Sequence, residues 1–228
     1  MPSLMLIGTA HVIDLSSPLE GFIRDFHPDL VALELDRDRW FALKSNNLKR
    51  EGPIFLRLLA RFQQYLGESF GSSPGNEMLV AANVARSLGG QVHLIDKPIL
   101  PTLRGAWRNM PWNEFWKIIK DSFFSLIGQG TSDFSHSMNT GDFSRELAQF
   151  SLEYPVIKSH LIDKRDTYMS RNIVKLFRKN KDSKIVAIVG EGHIDGMASK
   201  LSLINPKVVR LSDLLSRKSN TVSFSIKI

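Results

Sequence analysis

Four short apolar runs, Leu4–Ile7, Leu30–Leu35, Val92–Ile95 and Lys184–Val189, constrain this chain more than any other feature. Each has the length of a buried strand rather than of a helix, and each is followed by turn or charged residues. Helical patterns fill the spaces between them. Ser17, Pro18 and Glu20 read as an N-cap, a first helical residue and a capping-box carboxylate. Asp36 caps a helix running through Lys44, and an apolar-periodic stretch covers Pro53–Leu66 ahead of the turn-rich Gly67–Gly75. The Ala-rich Asn76–Leu88 ends at Gly89-Gly90, where a left-handed residue can close a helix. Strands alternating with helices predict an α/β fold, a mainly parallel sheet of βαβ units covered by helices on both faces. At 228 residues and 43% hydrophobic composition one core suffices, so a single domain, 1–228, is expected.

Between the third and fourth strands the sequence predicts a helical insert, residues 101–180, interrupted by the polar Gly128–Gly141. Such a loop is either functional and mobile or simply disordered. Trp112–Ile127 puts Trp112, Phe115, Trp116 and Ile119 on one wide helical face, which suits core or dimer packing or contact with a membrane surface. At the end of the chain, Val222, Phe224, Ile226 and Ile228 alternate with polar residues, the period of a half-buried edge strand.

With no cysteine, the chain has neither disulfides nor thiolate metal sites, so any metal must be held by His, Asp, Glu or water. The net charge of +7 is scattered, and its densest cluster, from Lys164 to Lys184, fits the solvated face of a long helix; no specific nucleic-acid partner is expected. No run approaches the roughly 20 apolar residues of a membrane span. The N-terminus has no signal-peptide pattern, and a cytoplasmic location is expected.

In an open α/β sheet, ligands bind beyond the carboxyl ends of the strands. Those ends here carry Gly8-Thr9-Ala10-His11, Glu34-Leu35-Asp36, Asp96-Lys97 and Gly190-Glu191-Gly192-His193. Two Gly-x-x-His strand ends, separated by most of the chain, place histidines at one rim. Glu34 lies in an otherwise apolar strand, where a carboxylate is costly unless paired, protonated or metal-bound; Arg37 and Arg39 are the structural partners nearest in sequence. At about 100° per residue, Arg165 falls within the stripe of Ile157, Leu161, Tyr168, Met169, Ile173 and Leu176. An inward guanidinium there either pairs with a core carboxylate or stabilises an oxyanion.

These blocks carry a resemblance. Gly8-Thr9-Ala10-His11-Val12, Pro28–Asp36 with Arg39, Pro74–Met78, Leu94–Lys97 with Thr102-Leu103-Arg104, Arg165–Met169 and Val189–Gly196 occur in the order and spacing of the TraB/PrgY family, named after pheromone-shutdown proteins. Lys97-Pro98 departs from the arginine that relatives commonly carry after the third-strand Asp. The family is similar to the Tiki-type proteases and the EreA/ChaN-like proteins, which share an α/β core. In Tiki, paired Gly-x-x-His motifs serve divalent-metal-dependent peptide cleavage. The resemblance implies an EreA/ChaN-like fold and a hydrolase of a peptide or small amide or ester. His11, Glu34 and His193 would hold a manganese, cobalt or zinc ion. Glu191 or Asp36 would be the general base and Arg165 the oxyanion partner, while Arg39, Glu77 and Asp96 would contact substrate. The competing expectation is a non-catalytic protein that binds a peptide or haem-like ligand in the same crevice.

Overall fold

The computed structural model describes residues 3–10, 14–45, 75–114, 116–117 and 151–225, with side chains through 218. His11, the stretch Pro53–Leu66, the loop Gly128–Gly141 and most of Trp112–Ile127 lie outside the described residues.

The chain opens with β1 (Ser3–Thr9), α1 (Ser16–Phe26), β2 (Leu30–Leu33) and α2 (Arg37–Lys44). After these come α3 (Asn76–Ser87), β3 (Gln91–Leu94) and α4 (Ile99–Asn109). A short helix α5 (Pro155–Lys158) runs through a π-helical turn, Ser159–Asp163, into α6 (Lys164–Lys179). The remainder is β4 (Lys184–Gly190), a 3-10 turn (Glu191–His193), α7 (Ile194–Lys200), β5 (Lys207–Val209) and α8 (Leu211–Ser225). The five strands form one parallel sheet in the order β3-β2-β4-β1-β5.

Strand alternation divides the core into two layers. Met5, Ile7, Val31, Leu33, Val186 and Ile188 face α1, α3 and α8. Leu4, Leu6, Leu30, Ala32, Ile185 and Ala187 face α6 and α7. Most of these side chains are fully buried, each contributing about 1.5–3 kcal/mol of transfer free energy. By the same alternation, the residue after Leu33 points toward α6 and α7, which decides where the site forms.

Several local expectations need correction. The helix expected to be capped by Ser17 starts at Ser16, whose amide donates to Asp14 Oδ1 at 3.0 Å, so Pro18 sits at the third position. Asp36 caps α2 as expected, accepting from the Arg39 amide at 3.0 Å. The third strand lies at the sheet edge and is only half-buried, because β4 adds to the other side of β2, followed by β1 and β5. Residues 221–225 belong to α8 rather than to a C-terminal strand. Glu191 Oε2 accepts the Leu211 amide at 2.9 Å, an external cap for α8 that local alternation cannot reveal. The fifth strand has only three residues, too few for a periodic signal.

Gly8 is fixed by the same packing. A Cβ there would overlap Glu191 Oε2 and lie 2.8 Å from Ile194 Cγ1, which is fully buried. Gly8→Ala is expected to cost about 1–3 kcal/mol through overpacking. Urea denaturation with no change in midpoint would refute this clash.

Candidate functional site

β2 and β4 are neighbours, so the residues just beyond them meet at the carboxyl edge of the sheet. Glu34, only 5% exposed, bridges the two strands: its amide donates to Ile188 O at 3.1 Å, and its Oε2 accepts the Gly190 amide at 2.6 Å. Oε1 pairs with Arg165 Nη2 and lies 3.3 Å from His193 Nε2. The ion pair expected with Arg37 or Arg39 is therefore replaced by one with Arg165, 131 residues away in sequence.

Arg165 is held by three groups. Nε donates to both Asp96 oxygens at 3.2 Å, Nη2 donates to Asp96 Oδ2 at 2.7 Å as well as to Glu34, and Nη1 donates to Leu161 O at 3.0 Å. Leu161 lies inside the π turn, an irregularity that recurs where a helix must aim a functional side chain. Burial works against the guanidinium charge, but Glu34 and Asp96 more than offset it and raise the pKa above the ordinary arginine value. Asp96 is shared with Arg39, whose Nη2 donates to Oδ2 at 2.5 Å while its Nε donates to Asp36 Oδ2 at 2.7 Å.

His193 completes the network. Its Nδ1 donates to Asp166 Oδ1 at 2.6 Å, and its Nε2 faces Glu34. Burial disfavours the imidazolium, yet the charge of Glu34 and the hydrogen bonds that the ring donates to Asp166 and Glu34 overcome both burial and the opposing Arg165, lifting the pKa to about 9. At neutral pH the ion-free ring carries a proton.

Of the residues singled out in sequence, Glu34, Asp36, Arg39, Asp96, Arg165 and His193 join one hydrogen-bonded network. Glu77 is buried in the first turn of α3. Glu191 points the other way, over β1 and β5, where Arg210 Nη1 donates to its Oε1 at 3.1 Å. Burial raises the Glu191 pKa against the opposing bonds from Leu211 and Arg210.

Asp166, 1% exposed, is the residue that sequence reasoning missed. The buried positions of α6 are Arg165, Asp166, Met169, Ser170 and Ile173, whereas Tyr168 is 42% exposed. A uniform helical period assumes one phase from Ile157 onward, but the π turn that contains Leu161 advances less per residue and widens the buried stripe to include Asp166 beside Arg165. The charged pair Arg165-Asp166 at the head of a Met-containing stripe was the available signal.

Among the described residues, no three His, Asp or Glu side chains converge as metal ligands. Two donors suit a divalent ion: His193 Nε2 and Glu34 Oε1 face each other at 3.3 Å, and His193 Nδ1 is anchored on a carboxylate, as metal-binding imidazoles are. Among the described residues, four carboxylates, Glu34, Asp36, Asp96 and Asp166, share this network with two guanidiniums, Arg39 and Arg165. The surplus negative charge suits an added cation, and in its absence a proton on His193 serves partly in that role. No described helix is long and apolar enough to cross a membrane.

The sequence profile of the TraB/PrgY/gumN family matches residues 2–207. An uncharacterized protein of Methanocaldococcus jannaschii is 34% identical over 240 residues, covering 96% of this chain and 59% of its own length. TraB domain-containing proteins of Mus musculus and Homo sapiens are each 25% identical over 242 residues, covering 86% of this chain and 62% of their own. The chain thus spans about three-fifths of the length of these relatives. With the profile running through the first four strands and every described residue of the network, the chain belongs to the TraB/PrgY/gumN family.

Proposed function

We propose that the chain is a divalent-metal-dependent hydrolase of a peptide or another small amide or ester, with the ion held by His193, Glu34 and His11. The observation that supports this reading is the excess of carboxylates over guanidiniums, among the described residues, in the buried network around His193, whose Nε2 faces Glu34. When bound, a manganese, cobalt or zinc ion supplies Lewis acidity that polarises a carbonyl and acidifies water. The residues do the rest. His193 must surrender its Nε2 proton to bind the ion, so ion uptake releases a proton. Arg165 keeps a fixed positive charge beside Glu34, where it can offset a developing oxyanion. Asp36, exposed to the network through Arg39, is favoured as general base over Glu191, which would first have to leave Arg210 and the Leu211 amide.

Substrate approaches through a cleft of about 470 Å³ beside the network, lined by Asp36, Arg39, Ala42, Ile99, Leu100 and Arg104. Its mixture of apolar surface and two arginines suits a peptide segment better than a bare sugar or nucleotide. The same reading places the sheet in the EreA/ChaN-like group, makes 101–180 a helical insert, and puts the protein in the cytoplasm as a monomer or homodimer.

The test is titration of the metal-free protein with Mn²⁺, Co²⁺ and Zn²⁺, followed by turnover on a panel of peptides and esters. Ion-dependent cleavage is expected in the wild type, falling by at least about tenfold in His193→Gln. Ion binding without turnover on any substrate would favour the ligand-binding alternative. Cleavage indifferent to chelation would refute the metal assignment.

A further inference from the structure

We propose that Asp166 is the positioning residue that decides which nitrogen of His193 faces Glu34, and that residue 196 is glycine in order to admit it. The consequence for ion binding rests on the hydrolase reading; the positioning itself does not.

The imidazole is spanned between two carboxylates. Asp166 Oδ1 accepts from Nδ1 at 2.6 Å on one side, and Glu34 Oε1 lies 3.3 Å from Nε2 on the other. Turning the ring over would present carbon atoms to both carboxylates, in a pocket where His193 is 6% exposed. With Nδ1 committed as a donor, Nε2 is the nitrogen left for chemistry. Asp166 has no other hydrogen-bond partner among the described residues, and a carboxylate 1% exposed is costly to keep for packing alone.

The backbone is shaped around the same carboxylate. A Cβ on Gly196, in the first turns of α7, would overlap Asp166 Oδ2 and lie 2.9 Å from its Cγ. Because α6 and α7 meet at the Asp166 side chain, the carboxylate cannot retreat from a larger residue without leaving His193. Gly196→Ala therefore reaches His193 through Asp166, with no new atom touching the ring.

Two readouts test this. In proton spectra of the ion-free protein labelled with ¹⁵N-histidine, the ring N–H bonded to Asp166 is expected as a strongly deshielded resonance, assigned by its loss in His193→Gln. Asp166→Asn and Gly196→Ala should both abolish it. Ile23→Val, in the core layer on the opposite face of the sheet, should lower the melting temperature and leave the resonance in place. A wild type without the resonance, or an Asp166→Asn that retains it, overturns the proposal. The second readout is the Kd for Mn²⁺ or Co²⁺, expected to weaken about 10- to 100-fold in Asp166→Asn and Gly196→Ala but not in Ile23→Val. Equal affinity in the wild type and Asp166→Asn also overturns it. A wild type that binds no divalent ion refutes the hydrolase reading instead, and the resonance then decides the positioning role by itself.

Discussion

Arg165→Met is expected to destabilise the chain by about 3–5 kcal/mol. Methionine preserves much of the volume and the apolar stem, so the loss is chiefly electrostatic. The Glu34 and Asp96 side chains are 5% and 0% exposed, and a single guanidinium nitrogen lies between them. Removing it leaves two buried carboxylates facing each other, with Asp96 still paired to Arg39 and Glu34 still holding the Gly190 amide and facing His193. Urea denaturation near pH 7 measures the effect. The double variant Arg165→Met/Glu34→Leu should recover much of the loss, because replacing both members of a buried pair is far less costly than replacing one. A change below about 1 kcal/mol would show that Arg39 and the Gly190 amide suffice to hold both carboxylates.

Stability should also fall between about pH 6.5 and pH 9. His193 is raised from 6.5 in the unfolded chain to about 9 in the folded one, so the folded state binds the proton more tightly. The resulting stabilisation is fully present below about pH 6.5 and is lost as pH rises through about 9, a difference on the order of 3 kcal/mol. The groups responsible are Glu34 and Asp166 on the two ring nitrogens, opposed by Arg165. Denaturation of the ion-free protein across that window should show the decline, and His193→Gln should flatten it. A wild-type profile that is flat from pH 6.5 to 9 would mean that His193 remains neutral throughout. Saturating divalent ion should abolish the decline, because the ion-bound ring is already deprotonated and the unfolded histidine is neutral above about pH 6.5, leaving no proton to release in that window.

The parts of this architecture that were legible in the sequence are those written in short range. Leu4–Ile7, Leu30–Leu33 and Lys184–Val189 announce strands by apolar runs, and Asp36 announces a cap by its position before α2. Glu34 and His193 could be brought together because both follow strand ends, and strand ends of a parallel sheet share an edge. What remained hidden depends on distant contacts. The end of the chain looks like a strand by alternation but extends α8, whose start is capped by Glu191 from a neighbouring turn. The same contact draws Glu191 away from the carboxylate cluster that its strand-end position suggested it would join. Asp166 was overlooked because a π turn shifts the helix phase, and nothing in composition marks where such a turn falls. The partner of Glu34 was sought three to five positions downstream, whereas the actual cation arrives from a helix on the facing layer.

The position of β4 has a consequence for synthesis on the ribosome. It is the fourth strand made but the middle strand of the sheet, between β2 and β1. Before it emerges, β1 has no partner in β2, and the first four-fifths of the chain can form only fragments of the sheet. The strand that joins these fragments also brings the Gly190 amide to Glu34, and His193 follows within three residues. Closure of the sheet and assembly of the buried charges are thus the same late event. A nascent chain halted before residue 184 holds Arg165 and Glu34 without the strand that aligns them, so such a chain lacks the assembled charge network.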